Sequence, residues 1–186
     1  MKLAAVVLFV ITIFTGCTSK ETQIDKATDL RKNILNANSC SFSCVINADY
    51  GDTVYTFKMD CIADNAGDLH FNVTDPETIS GITGTIRQDR AELTFDDRVL
   101  AFPMLANDQI APVSAPWLFL NTLRSGYITG CGREEAGYMI SIDDSYREHP
   151  LQLLVHTDDN FVPLLAEIFW REQRILTLDV RNFTLQ

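Results

Sequence analysis

Basic residues are scarce in this chain: 15 Lys and Arg stand against 25 Asp and Glu, for a net charge of −10. A surface of this sign repels phosphate backbones, and no basic stripe interrupts it, which excludes nucleic acid as a partner. The same charge disfavours a domain that lies flat on anionic lipid. Any membrane attachment is therefore expected to hold the domain away from the bilayer on a short tether.

Motifs for catalysis and metal binding are also lacking. No Gly-x-Ser-x-Gly elbow frames a serine, and no Cys-x-x-Cys pair occurs. His70 lies on the polar face of a predicted strand. His149 and His156 are seven positions apart, and residues an odd number apart on a strand point to opposite faces. The sequence therefore predicts a non-catalytic protein with no cofactor and no metal site.

The apolar run at the amino end is too short to span a bilayer. Leu3–Phe14 follows Lys2 and has twelve residues, whereas about 30 Å of hydrocarbon needs about 20. The run closes on Phe14-Thr15-Gly16-Cys17, which resembles the lipobox of a bacterial lipoprotein signal peptide, with Phe14 where Leu is usual. The resemblance implies that Cys17 becomes the lipidated first residue, anchored by about 0.8 kcal/mol per buried methylene.

Two alternatives stay open for this segment: an ordinary cleaved signal peptide and an uncleaved anchor. All three interpretations place the rest of the chain outside the cytoplasm, and the lipoprotein interpretation holds it at the extracytoplasmic face of a bacterial membrane. In the lipoprotein interpretation, residues 1–16 are the signal peptide, residues 17–22 the lipidated tether and residues 23–186 one domain. Removal of residues 1–16, which include Lys2 and no acidic residue, leaves 170 residues with a net charge of −11. A chain of that size buries roughly 70% of the surface that its unfolded form exposes, so it needs no metal or disulfide framework.

The spacing of apolar residues predicts the first elements. They recur every three or four positions within 21–37, as in an amphipathic helix, at Ile24, Ala27, Leu30 and Ile34. From 40 to 50 they occupy the even positions, and from 53 to 61 the odd ones. A tight hairpin at 51–52 opposes residues whose numbers sum to about 103, which places both sets on one face.

Later segments continue this pattern of strands. They are predicted at 69–73, 79–86, 91–95 and 99–102, and again at 127–132, 138–142, 151–156, 164–170 and 175–185. Between the two groups Ser114 is expected to cap a second helix, with Pro116 in its first turn and Gly126 at its end. About ten strands without alternating helices predict an α+β, mainly β fold: a single curled antiparallel sheet forming an open half-barrel, with two amphipathic helices on its concave side.

Several features occur in a recognisable order: the lipobox, the first helix, Asp75-Pro76-Glu77-Thr78-Ile79 before a hairpin, the helix at 114–125, and Asn160-Phe161-Val162-Pro163 before the last hairpin. Together they resemble the LolA/LolB-like proteins, which are lipoprotein carriers and receptors with an unclosed barrel and a helical lid. Within that group the chain is most similar in type to the GerS-like germination lipoproteins of spore-forming bacteria. The resemblance covers residues 20–186.

This resemblance implies two different functions. The leading prediction is a membrane-anchored, non-catalytic adaptor that binds a protein partner, in GerS-type members a cell-wall amidase of the spore cortex. The alternative is a carrier or receptor for lipid or lipoprotein acyl chains in an apolar cavity, and homodimers formed by strand exchange are a further expectation. The inward-facing residues predicted for such a cavity, which the other interpretation places in a packed core, are Phe42, Ile46, Tyr55, Phe57, Leu69 and Phe71.

Residues 103–116 contain three prolines and no clear period, which predicts a long surface loop. Apolar residues in and beside such a loop either cover a core or mark an interaction site. The predicted partner-binding set is Phe102, Met104, Leu105, Ile110 and Trp117.

Three cysteines, Cys40, Cys44 and Cys61, share one face of the first predicted hairpin. They are small buried thiols in one interpretation. In the other, an exported domain oxidises Cys44 and Cys61, or Cys40 and Cys61, across a strand diagonal that strains disulfide geometry.

Overall fold

The computed structural model describes residues 22–88, 91–95, 98–102, 105–106 and 109–186. Helix α1 spans Gln23–Asn36 and begins with a capping box. The Thr22 hydroxyl accepts the Asp25 N–H at 3.2 Å, and the Asp25 carboxylate accepts the Thr22 N–H at 2.8 Å. These bonds satisfy two of the amide groups left free at a helix start, which explains why the helix begins here. The predicted signal peptide 1–16 and Cys17 lie outside the described residues.

Eleven of the thirteen strands in the described part of the chain form one antiparallel sheet, in the order β6-β5-β4-β3-β2-β1-β13-β12-β11-β10-β9. The first meander consists of β1 (Ser39–Asp49), β2 (Val54–Asp64), β3 (Leu69–Asp75), β4 (Thr83–Ile86), β5 (Ala91–Phe95) and β6 (Arg98–Phe102). The short strands β7 (Leu105–Ala106) and β8 (Gln109–Ile110) form a separate ribbon. The second meander consists of β9 (Tyr127–Glu134), β10 (Gly137–Asp143), β11 (Gln152–Thr157), β12 (Pro163–Trp170) and β13 (Gln173–Leu185).

The two meanders join where the first strand pairs with the last. β1 lies between β2 and β13, and β6 and β9 are the two ends of the strand order. The predicted fold class, an unclosed antiparallel sheet with two helices, is confirmed.

The register predicted for the first hairpin is also confirmed. Phe42 lies opposite Cys61, and Ile46 opposite Phe57, so opposed numbers sum to 103. Gly51 supports the turn with a φ of 85°, which a residue with a Cβ adopts at a cost, and its N–H donates to the Asp49 carboxylate at 2.8 Å. One face of β1 and β2 is buried as a result.

Two predicted segments differ from the structure. The segment 79–86 is not one strand, because a 3-10 turn at Glu77–Ile79 and Gly81, with a φ of 87°, bend the chain before β4 begins. The segment 103–116, predicted to be an irregular loop, contains the β7–β8 ribbon and a 3-10 turn at Pro112–Ser114 in its described part.

Helix α2 spans Ala115–Ser125 and has Pro116 in its first turn, as predicted. Ser114 does not cap it: the preceding 3-10 turn runs straight into the helix, and the Ser114 hydroxyl forms no cap hydrogen bond. At the other end Gly126 packs closely, because a Cβ there would lie 2.7 Å from Ile142 Cγ2. α2 packs against β10, β12 and β13, and α1 packs against β9 and α2.

Helix α2 covers part of the concave face. Phe119 of α2 is fully buried and meets Phe42 of β1 edge-on, with 5.7 Å between ring centroids. α2 also contacts the turn between β2 and β3, where the Trp117 indole N–H donates to the Gly67 carbonyl. Residues 110–113 cover the part of the sheet that carries Phe57, Phe71 and Leu93. Every buried hydrophobic residue of the described core lies between Ala27 and Val180, so a chain of residues 18–186 contains all the described elements.

Candidate ligand-binding cavity

A cavity of about 620 Å³ lies between the first meander and residues 110–113. It is called the apolar cavity below. Its volume falls within the range of about 300–1,000 Å³ typical of small-molecule sites. The residues from the sheet and the turn before β4 that line it are Tyr55, Phe57, Phe71, Val73, Ile79, Ile82 and Leu93.

Four consecutive residues form the cover of this cavity: Ile110, Ala111, Pro112 and Val113. Asp52, Thr53 and Tyr50, from the turn end of the first hairpin, supply the polar part of the lining. Asp52 is the only ionisable carboxylate among the described lining residues. The interior therefore suits a hydrocarbon group, and polar groups gather on the side of the hairpin turn.

Gly84 leaves space for the Phe71 ring, which lines the cavity. It lies opposite Phe71 on β3 and Leu93 on β5. A Cβ at Gly84 would lie 2.5 Å from Phe71 Cζ and 2.3 Å from the Glu92 carbonyl oxygen. The Phe71 ring thus packs over a bare backbone, and a larger residue at 84 would displace the ring.

Tyr50 ties the end of β1 to the cover. Its hydroxyl donates to the Ile110 carbonyl, and its ring meets Tyr55 edge-on with 6.3 Å between centroids. Burial, followed by the neighbouring Tyr55, raises the pKa of Tyr50 to about 12. The phenol therefore stays protonated and remains a hydrogen-bond donor throughout the physiological range.

Three of the six residues predicted to line a cavity do so: Tyr55, Phe57 and Phe71. Phe42, Ile46 and Leu69 belong instead to the packed core, at 3%, 0% and 0% exposure. They share the inward face, but α2 and the neighbouring strands fill the space around them. Sequence reasoning missed Ile79, Ile82, Leu93 and the cover, although Ile110 and Val113 in a proline-containing segment were a signal for the cover.

The predicted partner-binding loop is not a uniformly exposed surface. Ile110 and Trp117 are buried, at 3% and 6% exposure, which fits the alternative in which such residues cover a core. Ile110 forms part of the cavity cover, and the Trp117 indole N–H donates to the Gly67 carbonyl at 3.0 Å. Phe102 and Leu105 lie in β6 and β7, and Met104 lies outside the described residues.

The cysteines of the first hairpin are free thiols in the structure. Cys44 lies opposite Met59 and Cys61 opposite Phe42, so the two predicted disulfide partners are diagonal neighbours. Burial, followed by a hydrogen bond with Cys44, raises the pKa of Cys61 well above its ordinary value. Burial also raises the pKa of Cys40 to about 12. These shifts disfavour the thiolate, and the thiolate is the form that forms disulfides.

His156 lies apart from the cavity, on the second meander, between two carboxylates. Its Nδ1 is 2.8 Å from Glu134 Oε2, and its Nε2 is 3.3 Å from Glu167 Oε2. Burial opposes ionisation of His156, but the hydrogen bonds with Glu134 and Glu167 outweigh it and raise the pKa. Since each ring nitrogen has its own carboxylate partner, this arrangement is an ion-pair cluster and not a convergent ligand set.

Neither helix in the described part of the chain has the length and apolar character needed to cross a membrane. Across residues 22–88, 109–186 and the short described stretches between them, no three His, Cys, Asp or Glu side chains are placed to hold a metal ion.

Solved structures with a similar fold are known. A LolA superfamily protein from Nitrosomonas europaea has 10% identity and a TM-score of 0.45, over 86% of this chain and 93% of that one. The lipoprotein LppX from Mycobacterium tuberculosis has 11% identity and a TM-score of 0.40, over 87% and 92%. A chain in the structure of the CwlD amidase from Clostridioides difficile in complex with the GerS lipoprotein has 13% identity and a TM-score of 0.36, over 92% and 100%.

The resemblance predicted from element order is to the same group of proteins: the similar solved structures include a LolA superfamily protein and lipoproteins, at low sequence identity. No family model matches the chain, and no curated protein matches it. The fold and site define a class: an unclosed antiparallel half-barrel with an apolar cavity under a short cover.

Proposed function

We propose that this protein is a non-catalytic, membrane-tethered binding protein that holds the hydrocarbon chain of a lipid or an acylated molecule in the apolar cavity. The observation that carries this proposal is the cavity of about 620 Å³, lined mainly by aliphatic and aromatic side chains from β2, β3, β5 and the cover. Each buried methylene contributes about 0.8 kcal/mol, so six methylenes inside the cavity contribute about 5 kcal/mol.

In this proposal Cys17 holds the domain at the extracytoplasmic face of a bacterial membrane, which is also the source of the ligand. Thr22 caps α1, which begins at Gln23, so residues 17–22 are the tether between the proposed lipid and the folded domain. Such a tether and a net charge of −11 after removal of residues 1–16 keep the domain close to the bilayer without laying it on anionic lipid.

The proposal is tested by titrating residues 18–186 with dodecanol below its solubility limit, by calorimetry. We expect saturable binding with a stoichiometry near one and a negative heat-capacity change, because binding buries apolar surface. The variant Val113→Trp places a large side chain in the cover and should weaken binding by about tenfold or more. The matched control Val54→Trp changes an exposed residue of β2 outside the cavity and should bind like the wild type.

Absence of dodecanol binding to the wild type, or equal loss in Val113→Trp and Val54→Trp, would contradict the proposal. Circular dichroism of each variant separates loss of the site from loss of the fold.

The adaptor function that the element order predicted stays a prediction, and so does a cell-wall amidase as the partner. The loop predicted to bind a partner offers less apolar surface than expected, since Ile110 and Trp117 are buried. For this reason we place ligand binding ahead of partner docking.

A further inference from the structure

A second cavity, of about 230 Å³, adjoins the apolar cavity. It is called the polar cavity below, and both cavities are lined by Tyr50 and Ile110. Its other lining residues are Asp49, Trp170, Arg171, Gln173 and Ile175. At about 30 Å³ per water molecule it has room for a hydrated polar group.

An unsatisfied donor lies in the wall of the polar cavity. The Trp170 indole Nε1 is buried and has no hydrogen-bond partner among the described residues. A buried N–H without an acceptor is unfavourable, and native proteins usually supply such an acceptor from protein, water or ligand. Trp170 lines the polar cavity with other atoms of its side chain, and a ligand oxygen entering from the cavity would satisfy this nitrogen after a small rotation of the ring.

The neighbouring residue Arg171 carries a positive charge and lies in an unusual turn. Trp170 pairs with Gln173, so Arg171 and Glu172 form a two-residue hairpin between β12 and β13. Their φ angles are 51° and 65°, in the left-handed region that disfavours residues with a Cβ, and two-residue hairpins commonly use Asn-Gly there. The Arg171 guanidinium lies over the Trp170 ring, 5.8 Å from its centroid. Arg171 and Trp170 both line the polar cavity, and Arg171 also lines a neighbouring pocket with Glu148 and Glu172.

Asp49 is the only carboxylate among the described residues that line the polar cavity. It accepts the Gly51 N–H at 2.8 Å, so part of its acceptor capacity serves the turn of the first hairpin. The Tyr50 hydroxyl is committed to the Ile110 carbonyl. Donors without a committed acceptor thus come from Trp170, Arg171 and the Gln173 amide, and this set favours an anionic group rich in oxygen.

We infer that the two cavities form one site for a single-chain amphiphile with an anionic, oxygen-bearing head group such as a phosphate or carboxylate. The inference rests on the proposed function, in which the apolar cavity holds the hydrocarbon chain. The head group lies in the polar cavity against Arg171 and the Trp170 indole N–H, and the molecule passes between the cavities at the Tyr50–Ile110 contact.

The test compares dodecyl phosphate, dodecanol and dodecylamine, each titrated into residues 18–186 below its aggregation concentration. Dodecyl phosphate should bind about tenfold more tightly than dodecanol, because a charge-assisted hydrogen bond is added to the same chain burial. Arg171→Gln and Trp170→Phe should each remove most of this advantage and leave dodecanol binding within about twofold of the wild type. Arg181→Gln is the matched control, since it makes the same change of charge at an exposed residue outside both cavities.

Asp49→Asn should change the affinity for dodecyl phosphate in the opposite direction. The Asn side-chain carbonyl can still accept the Gly51 N–H, so the turn is kept while a negative charge is lost. Dodecyl phosphate should then bind several-fold more tightly, which a purely structural role of Asp49 would not produce. The fluorescence of Trp170, measured in a Trp117→Phe background, should respond to dodecyl phosphate and not to dodecanol.

The outcomes separate this inference from the proposed function. Equal binding of dodecyl phosphate and dodecanol, or preferential binding of dodecylamine, would overturn the head-group site and leave chain binding intact. Failure of all three probes to bind the wild type would overturn both. Inorganic phosphate alone should bind weakly; if it competes with dodecyl phosphate at micromolar concentration, the polar cavity is a phosphate site and not part of an amphiphile site.

Discussion

His156 links three strands of the second meander, because each of its ring nitrogens forms a hydrogen bond with a glutamate on another strand. It lies on β11, while its partners Glu134 and Glu167 lie on β9 and β12. Glu167 also accepts Arg174 of β13 at 2.5 Å. Burial would raise the pKa of Glu167, but its hydrogen bonds with Arg174 and His156 outweigh burial and lower it.

These shifts set a pH dependence for stability. Because the folded-state pKa of His156 is raised above its ordinary value of 6.5, its contribution is fully present below about pH 6.5 and is lost as the pH rises through the folded-state pKa. Glu167 stays ionised at about pH 5.5, since its pKa is lowered. We therefore expect His156→Gln to lower the melting temperature more at about pH 5.5 than at about pH 8.

Thermal unfolding at both pH values measures this difference. His70→Gln is the control, because the partner of His70 is the Thr85 hydroxyl and not a carboxylate. If His156→Gln lowers the melting temperature by the same amount or less at the lower pH than at the higher pH, the cluster does not stabilise the protonated ring.

Among the elements, the cover at 110–113 is hydrogen-bonded to Tyr50, the residue that follows β1. The Tyr50 hydroxyl supplies the Ile110 carbonyl with its donor, and Tyr50 is partly buried. Tyr50→Phe keeps the ring and removes this bond, so we expect a loss of about 1 kcal/mol in the free energy of unfolding. Dodecanol should also bind faster, because the cover opens more readily.

Urea unfolding and stopped-flow binding measure the two effects separately. Tyr127→Phe, on β9 outside both cavities, controls for the loss of a hydroxyl. If stability and association rate both stay at wild-type values, the Tyr50 hydroxyl does not hold the cover.

Elements with a regular apolar period were predictable, and elements shaped by turns were not. The period of two on either side of 51–52 predicted the β1–β2 register, because one face of each strand must be buried. The same reasoning extended a strand across 79–86, where a positive φ at Gly81 bends the chain. Ser114 was expected to cap α2 because serine is a common N-cap residue. Ser114 is instead the last residue of a 3-10 turn that runs into the helix, so its backbone lacks the extended conformation that capping requires.

At the scale of the whole molecule, the position of the domain is predicted to depend on Cys17. Cys17→Ser removes the thiol that lipidation needs, so labelling with radioactive palmitate should be lost and the protein should leave the membrane fraction. The control Cys131→Ser changes a partly buried cysteine of β9 and should leave both readouts unchanged. Full palmitate labelling of Cys17→Ser would contradict the lipoprotein interpretation, whereas membrane retention without labelling would indicate an uncleaved anchor.

The sequence by itself determined the strand-rich class of the fold, the amphipathic first helix, the hairpin register and the inward face of the sheet. These follow from local spacing, because side chains alternate along a strand and recur every three to four residues on a helix. Only the tertiary structure decided which inward residues line a cavity and which are packed. Phe42 and Phe71 have the same residue type and inward orientation, but Phe42 meets Phe119 of α2 while Phe71 faces the space under 110–113. That difference depends on how far α2 extends over the sheet, which is set by packing between segments distant in sequence.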